Sequence, residues 1–110
     1  MSIFKKKEIE EIKSINFHDA KISKIICDYD EGTVEMPIIM DDKHQYAALL
    51  KFENIVHIEV ARKEPWGPGC YISTFDVNET DGDYFKVSIL LNSGDEVNVT
   101  ASKMIYSSSD

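Results

Sequence analysis

The chain has 110 residues, the usual length of one domain, and we predict a single domain over residues 1–110. Hydrophobic residues make up 43% of it and charged residues 29%, a composition typical of globular and not of disordered chains. The 12 basic and 20 acidic residues give a formal net charge of -8. Because nucleic-acid phosphates and anionic membranes require a basic face, this charge argues against both as general partners.

The first residues predict one short amphipathic helix over about residues 4–15. Ile9 and Ile12 are three positions apart, and charged residues fill most of the other positions, which is the pattern of a helix with one apolar face. Ser2 is a suitable N-cap for this helix because its hydroxyl can accept a hydrogen bond from the first turn.

The amino-terminal segment and the cysteines also indicate the cellular compartment of the protein. The basic run 5–7 is followed by acidic residues and not by the apolar stretch of a secretory signal, and no apolar run approaches the ~18–20 residues that cross a bilayer. Cys27 and Cys70 form no CxxC pair, and two cysteines do not make a disulfide framework. We therefore expect reduced thiols, a cytoplasmic protein and no membrane partner.

After residue 16 the apolar side chains alternate with polar ones, as in the half-buried strands of an antiparallel sheet. We predict a sheet over about residues 19–106, of about seven strands, and a polar tail at 107–110 that frays. The clearest alternating runs are residues 33–40, 46–52, 56–60, 85–91 and 97–105. The fold class is then α+β and β-rich, an antiparallel meander that forms either a curved sheet or a partly open barrel.

Two strands carry irregularities. The run 20–29 changes its apolar parity in the middle, which either a β-bulge near Lys24 or burial on both faces would explain. Pro37 lacks the N–H group that a ladder needs, so we predict that its strand lies at an edge of the sheet. Turns are predicted at 30–32, 81–83 and 92–95, each of which contains a glycine.

The densest charge cluster lies at residues 76–83. It contains Asp76, Glu79, Asp81 and Asp83, with no basic residue between them in the sequence. One interpretation is a solvated hairpin tip, and the other is a docking patch for a basic partner. A calcium loop of the EF-hand type does not fit, because the required glycine and glutamate positions are occupied by other residues.

The loop around Trp66 is the second candidate for a contact. Trp66 is the only tryptophan, prolines stand on both sides of it, and Tyr71 follows shortly afterwards. Aromatic residues of this kind bury a large area at low entropic cost, and a rigid loop loses little on binding. The alternative is that Trp66 folds back and caps one end of the sheet.

Candidates for catalysis are weak. His18 and Asp19 are adjacent and could act as an acid/base pair, but neighbouring residues of a strand point to opposite faces, so a role in the helix-to-strand corner is the alternative. An enzyme would need His18, Asp41 and His44 to converge. No nucleophile elbow, phosphate-binding glycine loop or metal-ligand spacing is present. We predict no catalytic residue, no metal and no cofactor.

Three segments resemble a known group of proteins. They are residues 17–20 (Phe-His-Asp-Ala) before a strand, 50–55 (Leu-Lys-Phe-Glu-Asn-Ile) and 91–97 (Leu-Asn-Ser-Gly-Asp-Glu-Val). Together they resemble small bacterial β-rich proteins, some of which are immunity proteins of polymorphic toxin systems, over about residues 17–105. The resemblance implies a protein that binds and neutralises a cognate toxin, and it assigns no catalytic residue.

Three functions remain open at this point. The first is a non-catalytic cytoplasmic protein-binding domain that neutralises a basic toxin, with contacts from Trp66, Tyr71 and the carboxylates of residues 76–83. The second is a small-ligand binder with a pocket inside the curled sheet. The third is an enzyme with a site near His18, Asp41 and His44. A homo-oligomer formed through an edge strand is also compatible with the sequence.

Overall fold

The computed structural model describes residues 1–41, 43–63 and 70–109. The chain is β-rich with one short helix, as predicted. Helix α1 (Ile9–Lys13) follows a 3-10 turn (Lys6–Glu8). The strands of the described ranges are β1 (Ser2–Phe4), β2 (Lys21–Ile22), β3 (Ile26–Asp28), β4 (Thr33–Asp41), β5 (Gln45–Glu53), β6 (His57–Val60), β7 (Ile72–Glu79), β8 (Phe85–Leu91), β9 (Glu96–Ala101) and β10 (Lys103–Ser108).

The strands form two antiparallel sheets. Sheet A has the order β1-β10-β5-β4-β2, with β3 also paired to β4, and sheet B has the order β6-β9-β8-β7. The predicted class and the antiparallel pairing are therefore confirmed. The expected single curved sheet or partly open barrel of about seven strands is replaced by two sheets with ten strands in the described ranges.

The change of sheet occurs at one corner, where β5 leads into β6 and β9 leads into β10. Asn54 has a φ of 56°, a left-handed conformation that asparagine tolerates better than most residues. Its Nδ2 donates a hydrogen bond to Ser102 Oγ at 3.0 Å, and the Ser102 amide donates to the Glu53 carbonyl at 3.3 Å. Strands that bend in this way distribute one chain over two packed sheets.

A second, shorter junction joins the sheets on the other side. Lys21 and Tyr71 form an isolated bridge, and the amide of Ile72 donates to the carbonyl of Ala20 at 2.8 Å. Since this pairing covers only the start of β7, it links the two sheets without merging them.

The core lies between the inner faces of the sheets. Helix α1 adds Ile9 and Ile12, which are 6% and 0% exposed, so the predicted apolar face of the helix is confirmed. Burying one such side chain contributes roughly 1.5–3 kcal/mol. The largest fully buried side chains include Phe17, Phe52, Phe85, Met36, Ile38, Leu50, Ile72, Ile89 and Met104.

Two predictions about the chain ends were wrong. The helix does not begin at residue 4, because β1 pairs with β10 and thereby buries Phe4; Ser2 belongs to this strand and is not an N-cap. The tail is not frayed at residues 107–109, since β10 reaches Ser108 and the Ser109 amide donates to the Ala47 carbonyl at 3.0 Å. In both places backbone pairing outweighs the local preference read from the sequence.

The two irregular strands have related explanations. Ile22 pairs with Ile38, whereas Ile26 pairs with Glu35, so three residues between β2 and β3 face two residues of β4. Of the two explanations offered for residues 20–29, the register supports the bulge near Lys24. The predicted edge position of Pro37 was wrong, because β4 is paired on both sides. Pro37 lies opposite this bulge, where its carbonyl accepts from the Ser23 amide at 3.0 Å.

Candidate functional site

The acidic hairpin between β7 and β8 is held in place by a lysine from the amino-terminal segment. The Lys6 ammonium donates to the carbonyls of Thr80 and Gly82, both at 2.6 Å. Gly82 has a φ of 64°, which turns its peptide group in a way that residues with a Cβ rarely adopt. No basic residue is near this hairpin in the sequence, but the fold brings Lys6 to it.

Lys6 binds the backbone and leaves the carboxylates of the hairpin unpaired. Within the described ranges, Asp76, Glu79, Asp81 and Asp83 are exposed, and their side chains make no ion pair or hydrogen bond. The hairpin therefore presents carboxylates that are fixed in place and form no ion pair, which favours attraction of a cationic partner.

A cleft of about 700 Å³ lies beside the amino-terminal lysines and this hairpin, and both contribute to its lining. It is lined by four lysines, two carboxylates and two neutral polar side chains, namely Lys5, Lys6, Lys7, Lys103, Glu79, Asp83, Asn54 and Ser102. Lys103 is already paired with Glu53 at 3.2 Å. The lysines lower the negative potential of the side of the hairpin that faces the cleft.

The structure does not gather the predicted contact residues into one surface. Asp76 and Glu79 are three residues apart in β7, so they point to opposite faces of sheet B. Tyr71 precedes β7, whereas Asp81 follows it, and the eight residues of that strand separate them by about 26 Å. Trp66 lies outside the described residues.

The histidine candidates lie in corners of the fold. His18 Nδ1 is 2.8 Å from the Ser73 carbonyl, and its Nε2 is 3.5 Å from Asp19 Oδ1. Asp19 has a φ of 66° and its amide donates to Ile72, which favours the structural interpretation of this pair as a corner. His44 contacts the ring of Tyr46 in the turn after β4, with ring centroids 5.4 Å apart.

Three further findings concern metal binding, the cysteines and membrane spans. Across residues 1–41, 43–63 and 70–109, no three His, Cys, Asp or Glu side chains are grouped so that they could hold a metal. Cys27 and Cys70 are free thiols, as predicted, although Cys27 is exposed and not buried. Within the same ranges, no helix combines the length and apolar character needed to cross a bilayer.

The outer face of sheet B contains a polar row that sequence reasoning missed. The register places Asp76, Ser88, Asn98 and Glu59 side by side across the four strands. Asn98 is only 7% exposed, and its Nδ2 donates to Glu59 Oε1 at 3.2 Å. The only signal in the sequence was an asparagine between Val97 and Val99, which is unusual in a central strand.

The outer face of sheet A is different, because its centre is apolar. Pro37 and Leu49 are paired there, next to the pair Ile39 and Ala47. A second apolar pair, Ile3 and Ile105, lies nearer the edge, with Lys51 opposite Ile105. These residues are partly or fully exposed, and Ile3 is 51% exposed. Consecutive apolar residues in the sequence, such as Ile38-Ile39 and Leu49-Leu50, were the signal for strands with two apolar faces.

Comparison with known proteins leaves the family open. The chain matches no protein-family model, and no curated protein is significantly similar to it in sequence. The likeness to immunity proteins therefore stays a prediction.

Proposed function

We propose that this chain is a non-catalytic protein-binding domain whose partner is a basic protein, and that it acts in the manner of an immunity protein on a toxin. The observation that carries the proposal is the β7–β8 hairpin, where Asp76, Glu79, Asp81 and Asp83 are exposed and unpaired in the described structure. Carboxylates of this kind attract a partner that otherwise binds phosphate groups.

Fixation of the hairpin also supports the proposal. The strands remain paired up to Glu79 and Phe85, and Lys6 binds the carbonyls of the turn itself. A preorganised hairpin loses little conformational freedom when a partner binds. Charge that is already in position therefore contributes to binding without a large ordering cost.

The test compares two variants of equal net charge. The first is a quadruple variant of the hairpin, with Asp76→Asn, Glu79→Gln, Asp81→Asn and Asp83→Asn. The control removes four exposed carboxylates that lie elsewhere and have no described side-chain bond, as Glu11→Gln, Asp30→Asn, Glu31→Gln and Asp41→Asn. Proteins captured from the native host by the unmodified chain and by the control are identified by mass spectrometry.

The captured protein is then produced and its association rate with each variant is measured at increasing salt. We expect the hairpin variant to associate at least ~10-fold more slowly at low salt and to show a flatter salt dependence, because electrostatic steering contributes 10–1000-fold. The control should behave as the unmodified chain does. Equal rates for both variants would contradict the proposed role of the hairpin.

The lysine-lined cleft supports a second candidate, binding of a small anion. Lys5 and Lys7 are exposed and have no described ion pair, and the cleft volume of about 700 Å³ suits a small molecule. Inorganic pyrophosphate is a suitable probe, and a rise in Tm that is lost in the Lys5→Gln, Lys7→Gln double variant supports it. A Tm that pyrophosphate leaves unchanged contradicts it.

A homo-oligomer would use the edge of β6, which pairs only with β9 in the part of the chain that the structure describes. Val56, directly before this strand, and Val60, at its end, are 59% and 50% exposed. An unpaired edge with apolar side chains can pair with a second copy. Sedimentation at rising concentration should then show a dimer that Val60→Lys abolishes, whereas a monomer at all concentrations contradicts this assembly.

A further inference from the structure

The polar row on sheet B contains an unusual buried oxygen. Asn98 lies between Ser88 and Glu59 in this row and is more than nine-tenths buried. Its Oδ1 is buried and has no hydrogen-bond partner within the described structure. Most buried polar atoms in proteins are satisfied, so an unpaired one indicates a missing partner.

The orientation of the amide follows from its neighbour. Asn98 Nδ2 donates to the Glu59 carboxylate at 3.2 Å. If the amide were reversed, its oxygen would face a carboxylate oxygen, and two acceptors repel each other. The oxygen is therefore the atom left without a partner, and it needs a donor.

Glu59 is the second half of the site. Its side chain is exposed, and among the described residues it makes no ion pair. A group that binds both Glu59 and Asn98 must carry positive charge and several donors. The arginine guanidinium has both properties, because its five N–H groups lie in one plane and can pair with a carboxylate and a neighbouring oxygen together.

We infer that Glu59 and Asn98 on the outer face of sheet B bind an arginine side chain of a protein partner. This inference rests on the proposed function, since the arginine would come from the same basic partner. The Asn98 amide uses only Oε1 of Glu59, so Oε2 is available for a charge-assisted pair with the guanidinium, and a small shift of neighbouring side chains then gives a second N–H group access to the buried Asn98 Oδ1.

The surrounding charges set the strength of the site. Asp76 lies in the same row, two strands from Asn98, and adds negative charge. Lys86 and His57 lie in the adjacent row, and the ammonium of Lys86 opposes a cation. Glu96 lies in the adjacent row on the other side and favours one. An isolated arginine should accordingly bind weakly, at millimolar concentration.

The test is a titration followed by NMR of the ¹⁵N-labelled full chain. The probe is acetyl-Gly-Arg-Gly-amide, and the control probe has citrulline instead of arginine, which keeps the shape but removes the charge. We expect saturable shifts of the Asn98 side-chain amide and of the Ser88 backbone amide with the arginine peptide only. A lysine peptide should shift them less at the same concentration.

Two variants make the test specific. Glu59→Gln should weaken the arginine response at least ~10-fold because it removes the charged acceptor, whereas Glu96→Gln on the same face should change it less than ~3-fold. Equal shifts with citrulline, an unchanged response in Glu59→Gln, or shifts confined to residues 76–83 would each overturn the inference. These outcomes are independent of the association experiment on the hairpin, so each proposal can fail alone.

Discussion

The outer faces of sheets A and B are both exposed sides of antiparallel sheets, yet their chemistry is opposite. Sheet A presents a patch centred on Pro37 and Leu49, whereas sheet B presents polar rows with Asn98 at the centre. The inner faces show no such difference, because both are apolar and buried. Packing therefore fixes the inner faces, and the outer faces are where this chain is free to differ.

The difference suggests separate tasks for the two faces. Polar side chains in a central strand weaken its packing, and an exposed apolar patch carries a risk of aggregation. Neither outer face therefore has the composition that would make the isolated domain most stable. Each face would be stabilised by a partner surface of matching chemistry. Sheet B would match a surface rich in hydrogen-bond donors, and sheet A would match an apolar surface.

The largest expected effect is a difference in stability between substitutions on the two faces of β5. Leu50 is 0% exposed, whereas its neighbour Leu49 faces outward. We expect Leu50→Ala to lower the free energy of unfolding by roughly 2–5 kcal/mol and Leu49→Ala by less than about 1 kcal/mol. Urea unfolding of both variants checks this, and similar losses would show that the outer face of sheet A is also part of the core.

The next effect concerns the contact between the amino-terminal segment and the sheet B hairpin. Lys6→Met keeps the apolar stem but loses both hydrogen bonds to the carbonyls of Thr80 and Gly82. We expect a loss of about 1–2 kcal/mol, since bonds from a charged donor are strong but partly exposed here. Hydrogen exchange at residues 80–84 should accelerate.

Lys7→Met is the matched control for this change. Lys7 is exposed, carries the same charge, and makes no hydrogen bond or ion pair in the described structure. Equal destabilisation by both lysine variants would attribute the effect to charge alone and not to the two hydrogen bonds.

A smaller effect of opposite sign is expected at the centre of sheet B. Asn98→Val removes a buried acceptor without a partner and introduces a residue that suits a strand. It also loses one hydrogen bond to Glu59. We expect the variant to be more stable by about 1 kcal/mol, measured by the midpoint of thermal unfolding. A clear loss of stability would show that Asn98 serves the fold and not a partner.

The smallest effect on stability is expected on sheet A. The double variant Ile39→Thr, Leu49→Thr reduces the apolar patch. Threonine favours strands, so both positions keep a residue that suits the sheet. Each change should alter the free energy of unfolding by no more than about 0.5 kcal/mol. Binding of the dye ANS, which reports exposed apolar surface, should fall. Undiminished ANS fluorescence would locate the apolar surface elsewhere.

Local patterns predicted much of this fold. Alternation identified the long strands, glycine-containing turns were found where they occur, and the parity change at residues 20–29 predicted the bulge. The division into two sheets was not predictable, because it depends on a bend at Asn54 and Ser102, and neither residue interrupts the alternation strongly. The predicted helix began too early because residues 2–4 form β1, and the pairing of β1 with β10 joins residues about a hundred positions apart.

The candidate site was predictable only in part. The acidic residues of the hairpin could be counted in the sequence, but the contact with Lys6 spans 74 positions between Lys6 and Thr80. The row containing Asn98 requires the register of all four strands of sheet B, which no local pattern supplies. Long-range pairing is therefore the information that the sequence alone lacked.

The position of β10 has a consequence for biosynthesis. This strand lies between β1 and β5, so β1 gains its neighbour only after β10, about a hundred residues later in the chain, has been translated. Until then the nascent chain exposes the edge of β5 with which β10 later pairs. A chaperone that shields growing polypeptides would accordingly meet this protein with sheet A still open, and the sheet closes only once β10 has left the ribosome.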